Sequence, residues 1–594
     1  MRKAHKLSIL TRSVMPEHII FVDTETTQTP LINNKIYHKL LLGVAIHHRH
    51  RRDREKGSKQ TKRFTEESEF WQYVSSKAIN KTVLYLISHN AVFDFTVLQH
   101  IKHLSLLGYK CSFVYEGGVT FISKWRKDKH TIMILDNSNW FRGKLATWGN
   151  ELDLPKLSMP TAIEGIEKMF KYCERDTEIL YQLFVWYSRF LRSNDLGSWK
   201  YTIASSAFTA YRHKFMSHNI YIPDDEDEML LARQSYHGGR TECFKVGEFT
   251  DGFYYKLDVN SMYPYVMKEY EYPTCFEKYV YRPRLSAVEK SLKNKSIIAE
   301  VLVKTDTPLY VFKKDERNVY PIGTFRTVLT TRELKVGFEN NWIVDIWGCC
   351  VYRKRQLFDD YVHFFYKVKQ EANKRDQKLL KSFAKLYLNS LYGKFGQRGF
   401  VDFVIGDNQD SQLKVSQGYN VRTKQRFTLR QVGHQVLYSE KANESYNSFC
   451  AIASHVTANA RLMLYDLVKM SGRDNCFYCD TDSVIVNQTG FNNLEHLLDN
   501  DLLGKLKVEG VTRKVIINAA KDYLFGKTVV LKGVRSNAQK IGTNSYKQEI
   551  WPGLNSILRT GKERYFNYFQ IKTLNPSIFS GNVLDNGNIL PFTM

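Results

Sequence analysis

The chain has 594 residues, 43% of them hydrophobic, with 86 Lys and Arg against 61 Asp and Glu for a formal net charge of +25. So much apolar material excludes a disordered chain, and the length exceeds one ordinary domain. The basic excess, carried by no Lys/Arg tail, points to a polyanion as partner of the folded surfaces, with a generally basic protein as the bland alternative.

The opening stretch, MRKAHKLSILTRSVMPEHIIFVD, is basic but lacks a secretory apolar core, leaving a short mitochondrial presequence as the one targeting alternative. HIIFVDTETT then reads as a strand that puts Asp23 and Glu25 on one face. TVLYLISHNAVFDFTVLQHI reads as a strand running into a helix that bears Asp94. IEGIEKMFKYCERDTEILYQLFVWYSRFL predicts a long amphipathic helix, on which Tyr172 and Asp176, four apart, share a face. This α/β alternation runs to about residue 195, where SNDLGSW supplies turn signals. Four carboxylates able to hold two metals, with a tyrosine to orient water, are the parts that phosphodiester hydrolysis needs. Each of these motifs alone is weak, since solvated surface acids are common.

The rest reads as α+β. FYYKLDVNSMYPYVM is a strand, a turn and a helix, and QLFDDYVHFFYKVKQEANKRDQKLLKSFAKLYLNSLYGKFG is a helical pair. GFVDFVIGDNQDSQLKVSQGYNVRTKQRFTLRQVGHQVLYSE has the turn signals and polar alternation of an exposed hairpin. AIASHVTANARLMLYDLVKM has apolar residues at helical spacing and leads into FYCDTDSVIV, read as one buried strand with Asp480 and Asp482 on one side and Thr481 and Ser483 on the other. Two carboxylates buried side by side add repulsion to desolvation, so a cation is expected between them. Asp258, where an apolar strand gives way to a turn, is the candidate third carboxylate. Two Mg²⁺ ions, or Mn²⁺ in their place, would activate an attacking oxygen and stabilise a departing phosphate oxygen; the bland reading is a solvated edge-strand DxD. The lone CxxC, Cys476 and Cys479, has no second pair and is not read as a zinc site. The nine cysteines have no framework spacing and point to a reducing compartment. No apolar run of about 18 residues occurs, so no membrane span is expected.

DVNSMYP at 258 to 264, KLYLNSLYG at 385 to 393 and YCDTDS at 478 to 483 resemble, in order, the three polymerase signatures of family B DNA polymerases, DxxSLYP, KxxxNSxYG and YxDTDS. The N-terminal part resembles the family's DnaQ-like, RNase H-like 3′–5′ proofreading exonuclease. The resemblance implies a multidomain fold, α/β followed by α+β: an exonuclease domain over 1–195, then a right-hand polymerase domain over 196–594. Within the latter the palm covers about 196–274 and 447–530, a first insertion about 275–355, fingers about 356–396, a second, β-hairpin insertion about 397–446, and a thumb about 531–594.

By the same resemblance, Asp258, Asp480 and Asp482, with Val259 beside them, hold the polymerase metals, and Asp23, Glu25, Asp94 and Asp176 those of the exonuclease. Thr26, His89, Asn90 and Phe93 contact a single-stranded 3′ end, although a lone histidine such as His89 is more often structural. Tyr263 packs under the incoming sugar and rejects a 2′-hydroxyl. Lys385 and Lys381, four apart on a helix, neutralise a triphosphate. Asn389, Tyr392 and Gly393 pack against the nascent base pair, Thr481 lies at the DNA, and Lys521 and Tyr523 in AKDYLF match the family's primer-holding KxY element.

The first carboxylate read as an exonuclease ligand already stands at position 23, and YHGG, with Tyr236, Gly238 and Gly239, matches the YxGG element of the protein-primed group of phages and linear plasmids. Its backbone is expected to approach template phosphates. Met262 replaces the usual leucine and His237 fills the variable position. The two insertions also fit that group, although the loop KKDERNVYPIGTFRTV is shorter than expected, which bears on terminal-protein binding. The implied partners are template and primer DNA, dNTPs and a terminal protein supplying a priming hydroxyl, with the enzyme acting as a monomer in a host cytoplasm, free of membrane. Rival readings are a primer-independent family B polymerase of a mobile element and a catalytically inactive DNA-binding replication factor.

Overall fold

This computed structural model describes residues 2–32, 34–50, 57–161, 164–407, 412–442, 444–574 and 579–594. The N-terminal part is built on the strand His18–Leu31, whose first five residues are all buried. Ile19, Ile20, Phe21 and Val22 form the continuous apolar run of a strand covered on both faces. It pairs parallel with Val83–Ser88, which pairs parallel with His130–Asp136, and antiparallel with Lys35–Arg49. The 28-residue helix Ile166–Ser193 packs across the sheet with Phe170, Cys173, Thr177, Leu180, Phe184, Tyr187 and Leu191 buried at three- and four-residue spacing.

That sheet recruits strands from the far end of the chain. Tyr565–Thr573 pairs with Lys35–Arg49, from Lys35 opposite Tyr568 to His38 opposite Tyr565, and Ser545–Ile550 pairs beyond it. Two carboxylates fasten the same join reciprocally. Glu116 accepts hydrogen bonds from the backbone N–H groups of Leu554 and Asn555 at 2.7 and 3.1 Å, and Glu563 accepts from those of Ile101 and Lys102 at 2.8 and 2.9 Å. Each satisfies N–H groups that a helix start leaves without partners.

At SNDLGSW the chain turns through Asp195 and Gly197, both at positive φ, while Leu191, Leu196 and Trp199 join one apolar core that runs on through Leu257 and Val486. The central five-stranded sheet has Tyr254–Val259 flanked by Ser483–Asn487 and Leu506–Thr512, then Cys476–Asp480 and Thr241–Cys243. Residues 272–355 supply four antiparallel strands of a six-stranded sheet around Val288, Ile297, Val301 and Ile346, which Tyr221–Ile222 joins in parallel and His5–Lys6 extends. The helices Asp359–Lys374 and Lys378–Phe395 pack on each other as the expected helical pair.

Two local expectations need correcting. FYCDTDSVIV is not one strand but a hairpin: Cys476–Asp480 ends, Thr481 takes a left-handed φ of 61°, and Ser483–Asn487 returns with Ser483 opposite Asp480. Asp482 therefore lies in the turn and owes nothing to strand alternation; its N–H bonds the Asp480 carbonyl at 2.7 Å and that of Thr481 bonds the Arg240 carbonyl at 2.7 Å. Asp-Thr-Asp-Ser is turn chemistry that the flanking apolar residues concealed. The β-rich span is likewise not a single hairpin but a four-stranded antiparallel sheet, Phe400–Asp407, Lys414–Asn420, Gln425–Val432 and Gln435–Lys441. Among the described residues no helix is long and apolar enough to cross a membrane.

Candidate active site

Two acidic clusters stand out, one in the N-terminal sheet and one on the central five-stranded sheet. In the first, Asp23 and Glu25 project from the strand His18–Leu31 just before a bulge at Glu25/Thr26. Asp94 sits in the first turn of the helix Ala91–Val97, whose N-cap Asn90 is left-handed at φ 71°. The carboxylate of Asp136 holds that helix start, accepting from the N–H groups of Asn90 and Ala91 at 3.2 and 2.8 Å. Thr24 donates its N–H and hydroxyl to Asp94 Oδ1 at 3.1 and 2.7 Å, locking the two elements together. Tyr172, Cys173 and Asp176 come from the long helix. One ligand atom each of Asp23, Glu25 and Cys173 lie within 4.8 Å of one another, the single such triple among the described residues.

Burial first, then Asp94, Asp176 and Glu25, push the Asp23 carboxyl well above its ordinary range. Burial, then Asp176, pushes Glu25 up to about 7, and burial takes Asp94 to about 7 against the pull of Thr24. Asp176 is also raised, by burial, although Lys156 binds its Oδ2, and its Oδ1 is buried with no hydrogen-bond partner. Crowded, desolvated carboxylates with a free oxygen are what a divalent cation fits, because it offsets both repulsion and desolvation.

Lys156 was not visible as a site residue in the sequence. It pairs with Asp176 and lies 5.0 Å from the centre of the Tyr172 ring, yet it comes from an irregular stretch with no motif. His89 is held on both ring nitrogens, by the Gly143 carbonyl at 2.8 Å and Asn137 at 3.1 Å. Thr26 bonds His38 at 3.0 Å, and His38 bonds Asn567 at 3.0 Å. Phe93 packs its ring edge-on to Tyr565 and Trp551 at 4.9 and 5.8 Å. The C-terminal residues Trp551 and Tyr565 thus stand against Phe93, and Asn567 reaches Thr26 through His38, which only the folded sheet reveals.

The second cluster gathers on the central sheet. Asp258 ends the strand Tyr254–Val259 opposite Ser483, and the Val259 N–H donates to the Asp482 carbonyl at 2.8 Å. Asp480 accepts from Thr241 at 2.8 Å and from Thr481 at 3.0 Å. Lysines face this cluster: Lys507 lies 3.0 Å from Asp258, and Lys521 3.4 Å from Asp480. Burial, then Asp258, pushes Asp482 up to about 6, with Lys385 pulling the other way. Burial likewise raises Asp258 against the pull of Lys507.

Above the carboxylates, Tyr263 stacks on Tyr392 with centroids 4.9 Å apart and planes 3° from parallel. Gly239 explains part of YHGG: a Cβ there would stand 2.9 Å from the Tyr263 hydroxyl and 3.1 Å from Thr481. Any larger residue there would force Tyr263 or Thr481 to shift. Arg461, buried and paired with Glu333 at 3.1 Å, holds the His237 carbonyl at 3.0 Å. Lys381, Lys385, Asn389 and Gly393 repeat every four residues along the exposed face of Lys378–Phe395. Lys369, on the preceding helix, bonds Ser261 at 3.0 Å, and burial, then Lys385, lowers it to about 8. Tyr523 packs on Tyr478 at 5.0 Å.

The family model for DNA polymerase type B, organellar and viral, matches residues 85–470. The chain belongs to that family. Among curated relatives, a probable DNA polymerase of Neurospora intermedia is 27% identical over 416 residues, covering 65% of this chain and 41% of the relative. The DNA-directed DNA polymerase of Enterobacteria phage PRD1 is 24% identical over 382 residues, covering 63% of this chain and 62% of that protein. The chain therefore spans less than two thirds of the length of either. Phi29 DNA polymerase complexed with primer-template DNA and incoming nucleotides superposes with a TM-score of 0.65 at 16% identity, over 95% of this chain and all of that one. Its complex with single-stranded DNA superposes with a TM-score of 0.62, over 88% and 93%. The fold is that of a multidomain type B polymerase, an α/β exonuclease domain followed by a polymerase domain.

Proposed function

We propose that the protein is a DNA-directed DNA polymerase with a 3′–5′ exonuclease in a separate site. The observation that carries this is the meeting of Asp258 with the Asp480–Asp482 turn on adjacent strands, beneath the stacked Tyr263 and Tyr392 and within the field of Lys385. In the polymerase site Asp258, Asp480 and Asp482 would hold the divalent cations, Mg²⁺ or Mn²⁺. Those ions, when bound, supply Lewis-acid stabilisation of phosphate oxygens. The chain's own residues orient the substrates. Lys381 and Lys385 neutralise a dNTP triphosphate, the Tyr263 ring closes the space where a 2′-hydroxyl would sit, and Lys521 with Tyr523 holds the primer terminus. In the exonuclease site Asp23, Glu25, Asp94 and Asp176 are the metal ligands, Tyr172 orients water, and Thr26, His89, Asn90 and Phe93 bind the frayed 3′ end.

The finer reading is protein priming in the replication of a viral or mobile-element DNA, by strand displacement, in a host cytoplasm or an organelle. It is supported by YHGG packed against Tyr263 and by the two inserted sheets. The domain limits read from the sequence serve as the working division, with the thumb from about 531 bound to the exonuclease sheet. Extension of a labelled primer on a template tests the polymerase. Offering a candidate terminal protein and one dNTP tests the priming: a covalent protein–nucleotide adduct is expected, whereas synthesis on template alone favours primer-independent initiation.

A further inference from the structure

Lys507 is the nearest cation to Asp258, and its surroundings are built for exchange. In the sheet register Asp258 stands directly opposite Lys507, while Lys256 stands opposite Gly510 and Leu257 opposite Val508. Glu509 is therefore the extra residue of a β-bulge. A bulge re-aims a side chain, and here it brings Glu509 to 3.4 Å from Lys507 and 3.1 Å from Lys256. The Lys507 ammonium sits between two carboxylates, 3.0 Å from Asp258 and 3.4 Å from Glu509, so a small rotation of its stem trades one for the other. A cleft of about 550 Å³, lined by Lys256, Lys507, Glu509, Tyr523 and Lys527, leaves that rotation room. A solvated charge ladder along a strand would need neither the bulge nor the direct pairing with Asp258.

We propose that Lys507 is a positioning residue of the polymerase site: the standby counter-ion of Asp258, handed to Glu509 when a divalent cation takes the carboxylate. This rests on the reading of Asp258 and Asp482 as metal ligands. The role is electrostatic. Lys507 keeps the metal-free carboxylate from being an uncompensated half-buried charge, and it competes with the cation for the same oxygen. Glu509 lowers the cost of that competition by giving the ammonium somewhere to go.

The test is a Mn²⁺ titration, followed by electron paramagnetic resonance of the free ion, on the full chain carrying Asp23→Ala and Glu25→Ala so that the polymerase site is read alone. Lys507→Met keeps the apolar stem and removes the charge, and is expected to tighten Mn²⁺ binding about two- to fivefold, the worth of a part-exposed ion pair. Glu509→Gln leaves Lys507 with Asp258 alone and is expected to weaken it by a similar factor. Unchanged or weaker binding in Lys507→Met overturns the proposal; should that variant not fold, unchanged or tighter binding in Glu509→Gln does so. Asp258→Asn with Asp482→Asn is the control: if that pair leaves Mn²⁺ binding intact, the metal-site reading fails, a result distinct from failure of the exchange.

Discussion

The two acidic clusters answer the same electrostatic difficulty in opposite ways. Around Asp23, Glu25, Asp94 and Asp176 the carboxylates crowd together in a buried site, Lys156 is the one cation paired with them among the described residues, and Glu25 and Asp94 reach about 7. Around Asp258, Asp480 and Asp482, Lys507 and Lys521 make ion pairs, Lys385 adds its field, and Asp482 reaches only about 6. On the proposed reading, the first site leaves its repulsion for a bound cation to relieve, whereas the second carries counter-charge that a cation would displace. The elements around each cluster account for the difference: Lys507 comes from a neighbouring strand, Lys521 from a turn and Lys385 from a helix, whereas the long helix that supplies Asp176 to the N-terminal site brings, among the described residues, no lysine partner of its own.

If the clusters are separate catalytic sites, the largest effects should separate cleanly. Asp482→Ala is expected to lower nucleotide addition by about a thousandfold or more, the loss of several kcal/mol of charge stabilisation, with trimming of a labelled 3′ end unchanged. The double change Asp23→Ala, Glu25→Ala should do the reverse, and a variant in which both activities vanish together would refute two independent sites.

Lys156→Met sharpens the comparison at the N-terminal cluster. It removes a partner of a metal-ligand candidate, for which losses of about 10- to 100-fold are typical, so trimming should fall by that factor while extension holds; equal losses in both assays would mean that Lys156 supports the fold instead.

The contrast also predicts a pH dependence. Glu25 and Asp94 have folded values near 7, above their unfolded ones, so the folded state binds extra protons between the two. Their stabilisation is complete below the unfolded values and is lost as pH rises through about 7. Melting temperature in EDTA should therefore fall as pH rises through about 7, and Mg²⁺ should restore it at the alkaline end. A Glu25→Gln, Asp94→Asn variant should show a flatter profile; an unaltered slope would assign the dependence to other groups. The smallest effect is expected at the join between the C-terminal strands and the first sheet. Glu116→Ala should cost about 1 kcal/mol, the value of a helix cap, read as a lower denaturant midpoint with both activities retained.

The sequence by itself determined the α/β and α+β character, the long helix bearing Tyr172 and Asp176, the fingers pair, and which acidic residues to watch, because those rest on local periodicity and on short motifs. It misread Asp482, because a two-residue turn inside an apolar run looks like strand until pairing is known. Only the tertiary structure decided the rest: the lysines paired with Asp176, Asp258 and Asp480, the bulge that aims Glu509, and the strand Tyr565–Thr573 lying against Lys35–Arg49. Those features depend on register between segments far apart in the chain, and register is set by packing and backbone pairing across the whole fold, which no local pattern of residues encodes.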